Sequence, residues 1–169
     1  MPSIRLIGID DGLRRIVDED SGNFAAAYGA SLGEGVGVVR EVVSQTLALL
    51  EKAPRAPEWG GFLAADQEKG TVIGTCGFTH GPEGDGSVEI AYFTFPQFES
   101  RGYATAMARE LLRRALESGA VREVIAHTLP ERNASTRILE KIGLHMVGEA
   151  DDDEAGRVWR WSYRSRGEA

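Results

Sequence analysis

The sequence predicts an α+β fold of about seven strands and about four helices. Short apolar runs follow one another across polar turns between Trp59 and Phe78, a strand–helix–strand unit spans residues 87–128, and apolar residues elsewhere recur at helical spacing.

Residues 3–7 alternate and read as a first strand. Over residues 22–52 the pattern is helical but interrupted. Glycines at 29, 33, 35 and 37 separate a short helix from a longer one carrying Val38, Val42, Val43, Leu47 and Leu50. Pro54 and Pro57 bar a continuing helix and mark a short spacer. Residues 59–65 and 71–78 flank the polar turn at 66–70 and read as an antiparallel pair. Turn formers at 81–86 lead to a strand that begins near Ser87 and ends at Pro96. A helix to Ser118 follows, with Met107, Ala108, Leu111, Leu112 and Ala115 on one face. Then come a strand over 121–128, a helix from Asn133 to Ile142 stopped by Gly143, and two strands around Met146 and Trp159. Trp159 and Trp161 share one strand face and, with Trp59, read as core or cleft wall. Residues 164–169 are expected to fray.

The 169 residues fit a single domain over 1–169, large enough for a core without metal or disulfide staples. With 42% hydrophobic and 27% charged residues the chain reads as an ordinary soluble protein, and no apolar run approaches a membrane span. Asp10, Asp11 and Arg14 interrupt any signal-peptide core, and the one cysteine, Cys76, suits a reducing compartment, so a cytoplasmic monomer or homodimer is expected. Nineteen basic residues against 26 acidic ones give a net charge of −7, with no basic block interleaved with aromatics, which excludes nucleic acid as a direct partner. The acidic excess either favours a cationic partner or serves only solubility.

Chemistry concentrates in residues 88–105. The turn at Gly102 feeds a helix N-terminus, where unpaired backbone N–H groups and the helix dipole suit a phosphate; an ordinary strand-to-helix turn is the alternative. The turn lacks both the nucleoside-triphosphatase loop and the three-glycine dinucleotide fingerprint. Glu89 stands amid Val88, Ile90, Ala91, Tyr92 and Phe93. A carboxylate there is costly to bury unpaired, so it is either a proton acceptor or a Glu satisfied by an Arg or a backbone N–H. Cys76 has no adjacent base and reads as a small core residue rather than a nucleophile. His80, His127 and His145 lack metal-ligand spacing, so no metal is expected.

The ordered motifs Glu89-Ile90-Ala91-Tyr92, Pro96, Arg101-Gly102-Tyr103-Ala104-Thr105 and Leu129 through Leu144, with Asn133, Ser135 and Gly143 inside the last, resemble the GNAT acyltransferase superfamily in its RimJ/RimL-like branch. The ending Val158-Trp159-Arg160-Trp161 fits the same branch, and the resemblance covers about residues 59–161. It implies a mixed, partly splayed sheet in which the strands at Glu89 and Val124 run parallel and separate at one end, leaving a slot for a pantetheine arm.

By this resemblance the protein is an acetyl-CoA-dependent N-acetyltransferase that uses direct transfer in a ternary complex, with a primary amine as acceptor. Acetyl-CoA would be held by Glu99, Ser100, Arg101, Gly102, Tyr103, Ala104 and Thr105, chiefly through backbone amides. Tyr92, Phe93 and Thr94 would line the strand beside it, with a backbone N–H near Tyr92 or Phe93 on the thioester carbonyl. Glu89 is implied as general base and Ser135 as partner of the departing thiolate, with Asn133 and Ser135 also touching cofactor. Asn and Ser equally suit a plain helix cap. Arg101, Arg132 and Arg137 are either phosphate contacts or solvated charges. Four departures stand out: Glu99 where many relatives carry Gln or Arg, Leu139 where many acetyltransferases hold a tyrosine, Ser100 in place of a frequent Gly, and Arg132 where the family's Asn often lies, so that Asn133 is a shifted match. The first two keep open a non-catalytic acyl-CoA-binding or regulatory domain.

Overall fold

The computed structural model describes residues 2–165. Strand β1 (Ile4–Gly8) leads into helices α1 (Asp11–Glu19), α2 (Phe24–Tyr28) and α3 (Val36–Lys52). Strands β2 (Gly61–Asp66), β3 (Thr71–Phe78) and β4 (Ser87–Thr94) follow, then α4 (Tyr103–Glu117), β5 (Glu123–Thr128), α5 (Ala134–Ile142), β6 (His145–Asp152) and β7 (Gly156–Arg164). The strands form one mixed sheet in the order β1-β2-β3-β4-β5-β7-β6. β4 and β5 run parallel, and the other neighbours are antiparallel.

The expected seven strands are present, but the described residues hold five α-helices rather than about four. The additional one is α1. Asp10 caps it by accepting the Leu13 N–H at 2.8 Å, and its apolar stripe is only Leu13, Ile16 and Val17 among charged residues. Leu13 and Val17 are fully buried, so tertiary packing, not composition, makes this helix. Two boundaries also differ. Trp59 lies in a 3-10 turn before β2. Arg164, expected to fray, closes β7 opposite Glu123, and the Ser165 N–H donates to the Arg122 carbonyl at 2.8 Å. The remainder of that expected tail, 166–169, lies outside the described residues.

Helices cover both faces of the sheet. α4 and α5 pack Met107, Leu111 and Leu139 against Ile73, Val88 and Val124, while α1 to α3 pack Leu13, Phe24, Val39 and Val43 against Leu63 and Val72. Each fully buried side chain of this size contributes about 1.5–3 kcal/mol. Among the described residues no helix is long and apolar enough to cross a membrane.

The parallel pairing of β4 with β5 is brief: Ser87, Val88 and Glu89 align with Glu123, Val124 and Ile125. Beyond Glu89 the two strands part. The second half of β4 stays on β3, through Ala91 opposite Gly77 and Thr94 opposite Gly74. The second half of β5 stays on β7, where the Trp161 indole N–H also donates to Thr128 Oγ1 at 3.0 Å. Each half-sheet follows its own neighbour and twist, which opens a slot between them.

Candidate active site

Backbone alternation along β4 decides what faces the slot. The Thr79 N–H donates to the Glu89 carbonyl at 2.9 Å and the Phe95 N–H to the Ile73 carbonyl at 2.9 Å. Odd-numbered residues of β4 therefore turn their backbone groups to β3, and even-numbered ones turn theirs toward β5. Of the two expected donors, Tyr92 presents its N–H to the slot, whereas that of Phe93 is turned to β3. Side chains alternate as well. Val88 and Ile90 enter the core beneath α4, and Tyr92 packs against it, with burial pushing its phenol up to about 12. Glu89, Ala91 and Phe93 take the opposite face, toward α3.

Glu89 thus leaves the apolar run that surrounds it in sequence. Its side chain is 23% exposed and both carboxylate oxygens have partners. Thr79 Oγ1 donates to Oε1 at 3.0 Å, and Nδ1 of His127 lies 2.7 Å from Oε2. An ionised carboxylate only accepts, so in that state Nδ1 carries the shared proton. In the sequence His127 stands only as a candidate metal ligand, and no motif marks Thr79 as part of the site. The signal for His127 lies in the register: Glu89 aligns with Ile125, and His127, two residues on, shares that face.

A groove of about 740 Å³ opens on this face between α3 and the strands β3 and β4. Its floor is made of small residues, Gly61, Thr75, Gly77 and Ala91, and its opposite wall carries Val38, Val42 and Leu49. Two glycines are closely approached, Gly61 by a side-chain methyl and Gly77 by backbone. A Cβ on Gly61 would come within 2.7 Å of Thr46 Cγ2, and one on Gly77 within 2.5 Å of the Gly60 carbonyl oxygen. Phe93 and Arg55 line the groove too. Cys76 borders it but is buried, and desolvation raises its thiol to about 12, so it stays neutral.

At the far end of β4 the chain turns through Pro96 into the loop before α4. Ser100 and Gly102 both have positive φ, 64° and 87°. No side chain caps α4, and the first helical bond runs from the Ala106 N–H to the Gly102 carbonyl at 3.1 Å. The N–H groups of Tyr103, Ala104 and Thr105 are thus without intrahelical partners. Glu99, Ser100, Arg101 and Gly102 are exposed, and Arg101 lies over the Phe98 ring at 5.8 Å. Tyr103 turns its side chain inward: its hydroxyl donates to Asp66 Oδ2 at 2.5 Å, and desolvation together with that bond pushes the phenol up to about 12. Only its backbone is left for a ligand. Thr94 Oγ1, at the end of β4, is buried without a partner.

α5 starts across the slot. Asn133 is its cap: Oδ1 accepts the Thr136 N–H at 3.1 Å, and Thr136 Oγ1 accepts the Asn133 N–H at 3.0 Å. Ser135 is half-buried in the first turn, and among the described residues its hydroxyl makes no hydrogen bond. Leu139 is fully buried in the core. Arg132 pairs with Glu140, and Arg137 is exposed. Among the described residues no three His, Cys, Asp or Glu side chains gather as a metal site would require.

A family model described as an acetyltransferase (GNAT) domain matches residues 12–145. No curated protein matches the chain. Among solved structures, a GNAT-family acetyltransferase from Bacillus anthracis is 17% identical over 97% of this chain and 96% of its own, with a TM-score of 0.63. The ribosomal-protein-S5-alanine acetyltransferase from Vibrio fischeri is 14% identical over 98% of this chain and 94% of its own, with a TM-score of 0.64. RimL, a ribosomal L7/L12 alpha-N-protein acetyltransferase solved with coenzyme A, is 15% identical over 96% of this chain and 94% of its own, at 0.63. At these identities the likeness is one of fold.

Proposed function

The chain belongs to the GNAT acetyltransferase family, and from that premise we propose that it transfers the acetyl group of acetyl-CoA directly to a primary amine. The observation that carries this reading is the arrangement along β4: Glu89 with its two hydrogen-bond partners stands where the slot begins, and the uncapped start of α4 stands beyond its other end. The six residue steps from Glu89 to Phe95 span roughly 20 Å at about 3.3 Å each, the scale of an extended pantetheine arm.

The residues fit the cosubstrate. Backbone N–H groups of Tyr103, Ala104 and Thr105, with the dipole of α4, would hold the pyrophosphate, and the positive φ of Gly102 shapes the turn that presents them. Glu99, Ser100 and Arg101 flank that turn; the guanidinium of Arg101 is the side chain in it able to meet a phosphate. Tyr92 would offer its N–H to the thioester carbonyl, while Thr94 has a buried hydroxyl in need of a partner. Phe93 would contact the acceptor side rather than the cofactor.

Bound acetyl-CoA supplies an activated acyl group. The chain's own residues then manage protons. An amine is mostly protonated at neutral pH, so Glu89, directly or through water, would take the proton that leaves it nucleophilic. Thr79 and His127 fix the carboxylate's orientation, and His127, 25% exposed, connects it to solvent. Ser135, with a hydroxyl free to donate, would meet the departing thiolate; Asn133 serves first as the cap that fixes the start of α5.

The solved relatives named for acetylating ribosomal proteins, one of them with coenzyme A, support this reading. Its test is thiol release from acetyl-CoA across a panel of amines and peptides, with mass detection of the acetylated product. Release above the hydrolysis background with at least one acceptor is expected. Cofactor binding with hydrolysis alone on a broad panel would instead make the protein an acyl-CoA-binding domain.

A further inference from the structure

Arg55 reaches the groove from the spacer after α3. Its Nη1 donates to the Thr79 carbonyl at 2.9 Å, while its Nε is buried with no partner. No carboxylate among the described residues pairs with it. Desolvation lowers its pKa from the ordinary guanidinium value, yet an arginine keeps its charge. A half-buried, unpaired guanidinium is costly to maintain, and an arriving carboxylate offsets that cost through charge-assisted hydrogen bonds.

Thr79 links this cation to the proposed base. Its carbonyl takes Arg55 and its hydroxyl donates to Glu89 Oε1 at 3.0 Å. A cation and an anion therefore flank one residue on the same wall. Glu41 and Lys52 line the groove with Arg55, one acid against two bases, so the groove does not follow the acidic excess of the whole chain. The groove also has apolar surface, formed by Val38, Leu49, Ala91 and Phe93, all of them exposed.

We infer that the acceptor is a free α-amino acid with an apolar side chain, its amine toward Glu89 and its carboxylate against Arg55. The inference rests on the amine-acetylation reading and narrows it. A polyamine brings no anion, and a peptide N-terminus brings a neutral amide where the carboxylate would be; both leave Arg55 unpaired. In the reaction the amine nitrogen bonds to the acyl carbon as the C–S bond breaks. Of the two protons that leave the ammonium, one passes through Glu89 to solvent and the other ends on the thiol, giving the N-acetyl amino acid and free coenzyme A.

The experiment measures thiol release at saturating acetyl-CoA with L-leucine, L-leucinamide, 3-methylbutylamine and a leucine-initiated peptide, for the wild type, R55Q and R55K. L-leucine should exceed its amide and its decarboxylated analogue in kcat/KM by about tenfold or more, through KM. R55Q should cost L-leucine far more than 3-methylbutylamine, and R55K should restore part of the difference. Equal rates for all acceptors, or an equal loss on all of them in R55Q, would overturn the inference. Preference for the peptide would overturn it too, in favour of a protein N-terminus. If no acceptor releases thiol although acetyl-CoA binds, titration of L-leucine decides the carboxylate site separately from the transfer reading, which the broad amine and peptide panel tests. Binding that R55Q abolishes upholds the site; absence of binding overturns it.

Discussion

Glu89 and His127 meet 38 residues apart in sequence because β4 and β5 align in parallel for three residues and no further. Glu89→Gln keeps the size and one acceptor oxygen but cannot take a proton. It should lower kcat about 100-fold or more, as loss of a general base does, while leaving acetyl-CoA affinity near wild type. Stopped-assay kinetics and calorimetry check the two halves; unchanged turnover would remove Glu89 from the mechanism. Cys76 leads to a second expectation. With its thiol raised to about 12 it cannot act as a thiolate near neutral pH, so Cys76→Ser should remain active and no acetylated enzyme should accumulate in intact-mass spectra after mixing with acetyl-CoA. Glu89 was legible in the sequence because a carboxylate in an apolar run is conspicuous. Its surroundings were not, since periodicity does not say which strand face meets the core, and Arg55 was hidden in a proline-rich spacer.

Helix starts carry two different duties at this site, and substitutions should separate them. Asn133 caps α5 through a reciprocal pair with Thr136, so Asn133→Ala should cost about 1 kcal/mol of stability. The Ser135 hydroxyl makes no hydrogen bond among the described residues, so Ser135→Ala should leave the unfolding midpoint in place and slow turnover. Equal destabilisation by both, with no effect of the second on rate, would assign α5 a structural role only. At α4, Gly102 has φ of 87°, and a Cβ there would lie 3.2 Å from Pro2 Cδ, so Gly102→Val should weaken acetyl-CoA binding by distorting the turn. Elements with a clear period, such as α4, were readable beforehand. α1 was not, because three apolar residues on nine positions are too few to declare a helix until Leu13 and Val17 are seen to be buried.

At the scale of the whole molecule, Asp66 ties the end of β2 to the start of α4. The Tyr103 hydroxyl is the largest cause that holds its carboxyl below the ordinary 3.8, with the Lys69 and Glu68 backbone N–H groups adding to it against the opposing effect of burial. A depressed folded pKa means that the unfolded chain binds the proton more readily. The resulting stability is present above 3.8 and fades as pH falls through the lower folded value. Tyr103→Phe should therefore cost about 1 kcal/mol near neutral pH. The gap to wild type should narrow in urea unfolding as the pH is lowered from neutral through the depressed folded value, where the Asp66 carboxyl takes up its proton.

Two half-sheets that diverge after Glu89 and a helix start with unsatisfied amides make the slot, and acetyl-CoA is its proposed occupant. Calorimetric titration of the full chain with acetyl-CoA tests this most directly. The account predicts saturable binding with one molecule per chain, weakened in Gly102→Val and retained in Glu89→Gln. No heat of binding up to high micromolar acetyl-CoA would contradict it.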